Sequence, residues 1–380
     1  MSVPTVSVLM PVYNGSDYLQ ESIDSILNQT YSDFEFVIID DCSTDNTWEI
    51  LNFNAQRDHR IKLLQNPENL GLIKTLNKGI KAAQGKYIAR QDADDISLPE
   101  RLEREVEVLD RQPDCILVSS NIQVIKGSNK KIIEIMRKAC KPELLPWYLL
   151  FYNRIGGHSQ VMYRQDVVVA MGGYSEVRPH VEDYELWCRF SRTGKMMVII
   201  PEIFLTYRRH GQSISAKKSK EQESNRYKQV KENIDHLTEK DISIEEAKTL
   251  MGFWKGNRES IFEVWHHRFP SASQVEFVHE SLTELKKCFV EKYQDLFPTV
   301  NLSDELNHLI GEQFLFWLRS PLTKDHNIAS KIKITPYVLL WNPNILVVVV
   351  NWLLWLLRFP IDSLISLYRK AFAKGISQDL

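Results

Sequence analysis

The sequence predicts an α/β protein, a parallel sheet with helices on both faces, followed by a C-terminal helical region. Three observations carry that reading. Between residues 6 and 125, short apolar runs alternate with segments of helical period, the pattern of strands joined by crossover helices. Polar residues cluster directly after several of those runs, where open α/β sheets bind ligands. Beyond about residue 232, apolar residues recur at helical spacing without strand-like runs.

Val6 to Met10 reads as the first strand, stopped by Pro11-Val12-Tyr13-Asn14-Gly15. Leu19, Ile23, Ile26 and Leu27 then mark one helix face. Phe34 to Ile39 is a second apolar strand, ending in Asp40-Asp41-Cys42-Ser43, and Thr44 to Asn46 open a helix carrying Trp48 and Leu51. Ile61 to Leu64 is a third strand, and Leu72 to Ala83 a helix stopped by Gly85. Tyr87-Ile88-Ala89 runs into Arg90-Gln91-Asp92-Ala93-Asp94-Asp95. Pro99 to Arg111 is a helix with proline in its first turn, and Cys115 to Ile125 is extended. From Lys141 to His210 the pattern is mixed, with strands at Met196–Ile200 and Ile203–Tyr207. The charged stretch Lys217–Lys231 reads as a linker or exposed helix.

The chain divides accordingly into residues 1–215, a helical accessory region at 216–330, and a tail at 331–380. Ser243-Ile244-Glu245-Glu246 fits a capping box in the accessory region. In the tail, Ile345 to Leu357 is almost wholly apolar, and Asn342-Pro343-Asn344 separates it from Val338–Trp341. Ile361, Leu364, Ile365 and Tyr368 follow at helical spacing among Arg358, Arg369, Lys370 and Lys374. Apolar, aromatic and basic residues in that mixture predict a segment lying in a membrane interface; a buried helical hairpin is the alternative. The expected location is cytoplasmic, peripheral on the inner face of the cell membrane.

Composition narrows the function. With 47 Lys+Arg against 49 Asp+Glu, net charge −2, the chain has no global positive field for nucleic acid, and none is expected as a partner. A hydrophobic fraction of 43% among 380 residues supports a full core and excludes a disordered chain. Cys42, Cys115, Cys140, Cys188 and Cys288 are scattered without a CxxC, against a disulfide framework or structural zinc site. Val6 to Val12 is too short, and broken by Pro11, for a signal peptide.

The acidic clusters carry the chemistry. Asp92-Ala93-Asp94 offers hard oxygens on a short turn, suited to Mg²⁺ or Mn²⁺ shared with substrate phosphates; a solvated acidic turn before a helix fits equally. Asp41, at a sheet's ligand edge, could accept a hydrogen bond from a base or sugar, or cap a helix. Glu182-Asp183 opens an amphipathic helix, where the helix dipole alone favours carboxylates and where a general base would also sit.

Taken together and in order, these pieces resemble the family 2 glycosyltransferases with the GT-A fold over residues 1 to about 215. The matching segments are Pro11-Val12-Tyr13-Asn14, Ile38 to Asp45, Asn69-Leu70-Gly71 with Leu76-Asn77-Lys78-Gly79, and Gly85 to Asp95 with Pro99-Glu100-Arg101-Leu102. They continue through Gly172-Gly173-Tyr174, Glu182 to Trp187 and Tyr207 to His210. The resemblance implies a Rossmann-like mixed sheet. It implies that Pro11, Val12, Tyr13, Asn14 and Asp41 line the donor-nucleotide pocket, that Asp92 contacts ribose or sugar, and that Asp94, joined by His210, holds Mn²⁺ or Mg²⁺. Asp183 would be the catalytic base. His158 falls at a recurrent family position near the acceptor side, without an assigned role. His266 and His267 lie outside the matched region and read as structural or solvated.

The implied activity is metal-dependent, inverting transfer of one sugar from a nucleotide-sugar, UDP being the commonest donor base, to a hydroxyl of a saccharide or lipid-linked saccharide. The QxxRW motif of processive members is absent after Glu182-Asp183, which favours single transfer. Gln91 stands where the family more often has Met. Two other classes are open: a catalytically silent GT-A scaffold at the membrane, which would have lost its carboxylates, and a nucleotidyltransferase, which would need a Gly-rich loop after the first strand.

Overall fold

The computed structural model describes residues 3–211, 218–255, 272–319 and 328–341. Its backbone is organised by β1 (Val6–Val12), a strand buried along its whole length. Such a strand needs neighbours on both edges and cover on both faces. β2 (Phe34–Asp40) and β4 (Tyr87–Arg90) flank it in parallel, and β3 (Ile61–Gln65) extends the sheet beyond β2. The order is β3-β2-β1-β4-β8-β6-β9-β5, with β7 paired to β6. Here β5 is Ile96–Ser97, β6 Cys115–Lys126, β7 Asn129–Met136, β8 Val161–Arg164 and β9 Met196–Arg209.

The sheet is mixed. Strand–helix alternation holds for the β3-β2-β1-β4 half, which is parallel. β8 enters antiparallel to both β4 and β6, and only the β6–β9 pair is parallel in the other half among the described residues. Two segments depart from the sequence reading. β9 runs unbroken through Pro201, because shifts in its register with β6 near Ser120–Ile122 absorb the irregularity. The β6–β7 hairpin was not foreseen, since β7 is exposed on both faces except at its end and shows no alternation.

Register places the site. Val12 pairs with Asp40 across the parallel β1–β2 ladder, so the loops after the two strands leave the sheet side by side. β4 pairs Arg90 with Leu9 and delivers residues 91–95 next to them. Helices α1 (Leu19–Leu27), α2 (Thr47–Ala55), α3 (Leu72–Ala82) and α4 (Arg101–Arg111) cover the sheet. Leu19, Ile23 and Ile26 of α1 and Leu102, Val106 and Leu109 of α4 join the core of β1 and β2 side chains. The short helices α5 (Leu145–Leu149) and α6 (Gln165–Ala170) precede α7 (Glu182–Arg192), whose first turn holds Glu182 and Asp183.

The chain forms two compact units, Met1–Ala247 with Lys292–Pro298, and Lys248–Glu291 with Thr299–Leu380. The first thus reaches beyond residue 215. It takes in α8 (Ser219–Thr238), whose buried face includes Asn225, Gln229 and Asn233 as well as Val230 and Ile234. Asn233 Nδ2 donates to the Leu149 carbonyl at 2.8 Å, and Glu232 accepts from Arg178 and Arg192. That face is largely polar, with most of its side chains hydrogen-bonded, so hydropathy reads the segment as a linker.

The second unit is helical, built from part of α9 (Ile244–Lys255), most of α10 (Ala272–Tyr293), α11 (Leu302–Arg319) and α12 (Ile328–Trp341). Trp317 stacks on Phe253 at 5.9 Å and its indole N–H donates to the Phe253 carbonyl. No helix among the described residues is long and apolar enough to cross a membrane. The apolar tail from Ile345 onward and His266–His267 lie outside the described residues.

Candidate active site

At the ends of β1 and β2 the loops are sewn together by side-chain hydrogen bonds. Asn14 sits at φ 50°; its N–H donates to Ser43 Oγ at 2.9 Å while its Oδ1 accepts from the Thr44 N–H at 2.8 Å. Gly15 N–H donates to Thr47 Oγ1 and Ser16 N–H to Asp45 Oδ2. Pro11 and Val12 are buried in β1, whereas the Tyr13 side chain stands half exposed at the rim. Asp41 is buried and turned toward its own protein. Its Oδ1 accepts from Asn66 Nδ2 at 2.7 Å and Leu70 N–H at 2.8 Å, and its Oδ2 from Gly71 N–H at 2.9 Å. A carboxylate offers about four lone-pair sites, so Asp41 fixes the 66–71 turn and keeps room for one more donor.

After β4, the Asp92–Asp95 turn is anchored from several sides. Arg90, fully buried, donates to Asp92 Oδ1 at 2.9 Å and to the Leu9 and Gln91 carbonyls. Burial works against the Asp92 charge, but the Arg90 and His158 charges outweigh it and hold this carboxyl below its usual range. Asp94 Oδ2 lies 2.7 Å from His210 Nε2. Burial and the neighbouring Asp92 charge push Asp94 up, against the pull of His210. Arg208 locks the turn to β9, donating to the Asp94 carbonyl at 2.9 Å and to Glu21, with its own N–H on Asp95 Oδ1. Gln91 is buried behind the turn, bonded to Ser22, Ser97, Arg101 and the Asp95 carbonyl. Its amide both donates and accepts there, which a Met could not do.

Asp94 and His210 form a carboxylate–imidazole pair at the mouth of this turn. Among the described residues no group of three or more His, Cys, Asp or Glu side chains converges as a cage. Two hard or borderline donors fit a divalent cation completed by substrate oxygens and water, and do not fit an all-protein site.

The 158–160 turn links this corner to α7. Ser159 Oγ accepts from the Asp92 N–H at 2.8 Å, and His158 Nε2 lies 3.1 Å from Glu182 Oε1. Burial lowers the His158 affinity for a proton, but Glu182 and Asp183 more than restore it. Asp183 Oδ2 accepts from Asn153 Nδ2 at 3.1 Å and Oδ1 from the Tyr184 N–H at 2.6 Å. Burial raises the Asp183 carboxyl above its ordinary value, partly offset by His158.

Residues 7–168 match the family model described as glycosyl transferase family 2. The chain is also 33% identical over 304 residues to an uncharacterized glycosyltransferase of Haemophilus influenzae, covering 77% of this chain and 87% of that one. The chain belongs to glycosyltransferase family 2. As a family 2 glycosyltransferase it is a sugar-transferring enzyme with a nucleotide-sugar donor. A further relative, 33% identical over 222 residues (57% of this chain, 81% of the relative), is the UDP-Glc:alpha-D-GlcNAc-diphosphoundecaprenol beta-1,3-glucosyltransferase WfgD of Escherichia coli. The crystal structure of S. aureus TarS 1-349 in complex with UDP-GlcNAc aligns at TM-score 0.50 and 16% identity, over 88% of this chain and 89% of that one, a likeness of fold. The mixed sheet and its covering helices are the GT-A fold.

Several residues at the site of this family 2 glycosyltransferase were not singled out from sequence. Arg90 and Arg208 lie inside the matching segments without an assigned role, though each is almost fully buried. Asn153 and Ser159 lie in a loop without periodicity. Only their hydrogen bonds to Asp183 and Asp92 mark them.

Proposed function

We propose that this enzyme transfers a single sugar, with inversion, from a UDP-sugar to a hydroxyl of a saccharide carried on a lipid diphosphate. The Asp94–His210 pair at 2.7 Å carries the reading, because a carboxylate and an imidazole brought together just after β4 and β9 suit Mg²⁺ or Mn²⁺ shared with a donor diphosphate. The WfgD relative supports both the UDP-sugar and the lipid-diphosphate acceptor.

The roles proposed here are those the family resemblance implies, and the hydrogen bonds around each residue support them. Pro11, Val12, Tyr13 and Asn14 border the base, and the spare lone pair of Asp41 accepts from it. Asp92, oriented by Arg90, accepts from ribose or sugar hydroxyls. Asp94 and His210 would hold the cation. When bound, that ion supplies positive charge where the departing diphosphate becomes more negative. Asp183, kept in place by Asn153, accepts the acceptor hydroxyl proton as its oxygen attacks the anomeric carbon from the face opposite the leaving group. Asp92, Asp94 and Asp183 all being present speaks against a silent scaffold, and the loop after β1 has no phosphate-cradling glycine run for nucleotidyl transfer.

Binding of UDP-, GDP-, dTDP- and CMP-sugars to purified protein, with Mn²⁺, with Mg²⁺ and with EDTA, tests the reading. The expected result is a UDP-sugar bound only with a divalent ion, lost in Asp94→Ala and kept in Asp183→Asn. Metal-independent binding, or no donor bound under any condition, would overturn it.

A further inference from the structure

His210 lies one residue past β9, beyond the last β6–β9 pair of Lys126 with Arg209, and Asp94 lies on a turn. The sheet alone therefore does not fix the two side chains that meet at 2.7 Å. A ligand-binding constellation works only when each donor is held to about 0.5 Å, so the alignment has to come from what packs around the pair. Helix α1 supplies part of that support. Tyr18, its N-cap, stands with Glu21 and Ser22 at i, i+3 and i+4, the spacing that puts side chains on one helix face. All three reach the same corner. Ser22 Oγ donates to the Asp92 carbonyl at 2.8 Å, and Glu21 pairs with Arg208. The Tyr18 ring lies 5.2 Å from the His210 ring, tilted by 55°, and the Arg208 guanidinium stands over the Tyr18 ring at 4.5 Å.

Arg208 supplies the rest. It is buried, and each of its guanidinium nitrogens is engaged: Nε donates to the Asp94 carbonyl at 2.9 Å, Nη1 to the Gly127 carbonyl at 2.5 Å, and Nη2 to Glu21. One planar fork thus joins the Asp92–Asp95 turn, the β6–β7 hairpin and α1, from a residue two positions before His210. A lysine there would offer one compact head and could not serve three acceptors in three directions. The Glu21 carboxylate also balances the Arg208 charge, which would otherwise repel a cation bound nearby.

We infer that Arg208 and Tyr18 are positioning residues for the cation site. Arg208 fixes the separation of Asp94 from His210, and Tyr18 fixes the plane of the His210 ring. This rests on the reading that Asp94 and His210 hold a divalent ion. Neither residue acts on the ion directly; each acts through the ligand it holds, as outer partners of metal ligands do.

Mn²⁺ titrations of the full-length protein with saturating UDP, followed by the EPR signal of free Mn²⁺, provide the test, together with melts and crystal structures of the metal-free variants. Arg208→Lys should raise the Mn²⁺ dissociation constant roughly 10- to 100-fold, as is usual when a residue holding a metal ligand is changed. Tyr18→Leu should raise it about 2- to 10-fold, as expected for one lost ring contact, and Tyr18→Phe should keep wild-type affinity. Lys130→Gln removes only an exposed ion pair to Glu21 and should leave the affinity unchanged. In metal-free crystals the Asp94–His210 contact should open in Arg208→Lys, and the His210 ring should turn in Tyr18→Leu. Unchanged Mn²⁺ affinity in both variants, whatever their melting temperatures, would overturn the inference and leave the two residues a role in stability alone. So would an unmoved Asp94–His210 pair in the crystals. If Arg208→Lys does not fold, the contrast between Tyr18→Leu and Tyr18→Phe decides. Wild-type protein that binds no Mn²⁺ would instead strike the metal reading, and the metal-free crystals would still decide the positioning roles.

Discussion

As the proposed base, Asp183 has to be ionised to take a proton, so its environment should set the acidic limit of turnover. Burial raises its carboxyl above the ordinary 3.8, and the His158 charge pulls it partly back. Activity should therefore fall as pH drops through a raised Asp183 value, with the acidic limb of kcat/KM above that of a solvated aspartate. Replacing His158 with Gln removes a positive charge that favours the carboxylate, so the limb should move to higher pH. A limb that stays in place or moves down would show that Asp183 is not the titrating base. Asp183→Asn should lower kcat by about 10²–10⁴-fold, with donor affinity preserved. The position of Glu182-Asp183 at a helix start was legible because the residues that follow have a clear amphipathic period. The tuning of Asp183 was not, since His158 and Asn153 reach it only through tertiary contacts.

At the scale of elements, α3 and the turn before β4 approach the sheet closely at two glycines. A Cβ on Gly79 would fall 2.1 Å from Leu9 Cδ1 and 2.8 Å from Ile39 Cδ1, side-chain ends that can turn aside. A Cβ on Gly85 would meet backbone, the Ser7 nitrogen at 2.5 Å and the Val6 carbonyl carbon at 2.6 Å. Gly85 also donates its N–H to Ser7 Oγ at 2.8 Å, tying the turn before β4 to β1. Gly85→Ala should thus be the more destabilising change. Overpacking typically costs about 1–3 kcal/mol, with Gly79→Ala expected near the lower end and Gly85→Ala at or above the upper. Denaturant melts of the two variants would check the order, and a reversal would mean that the strand shifts more easily than the Leu9 side chain repacks. The β1–β4 half was readable from sequence because its strands are short, mostly apolar runs separated by helical periods and turn residues. The β6–β7 hairpin and α8 were not, because one is exposed and the other buries amides that pair only in the folded chain.

At the scale of the whole molecule, the helical second unit limits how membrane association can be tested. The apolar and basic residues beyond Asn342 predict interfacial binding, and a cut at residue 331 removes them. It would also remove most of α12, whose Ile334 and Val338 are fully buried. Trp341 donates its indole N–H to His279 Nδ1 at 3.1 Å, and Tyr337 lies against Phe314 at 5.8 Å. Stripping several buried apolar side chains at about 1.5–3 kcal/mol each would threaten the second unit, and aggregated protein sediments as membranes do. A cut after Trp341 leaves this packing intact. Full-length protein should float with anionic vesicles in a density gradient, and the chain ending at Trp341 should remain at the bottom while keeping its melting temperature. Flotation of that shorter chain would overturn the interfacial role of the tail and move membrane contact to the folded units. Loss of flotation with an unchanged melt would assign it to residues 342–380.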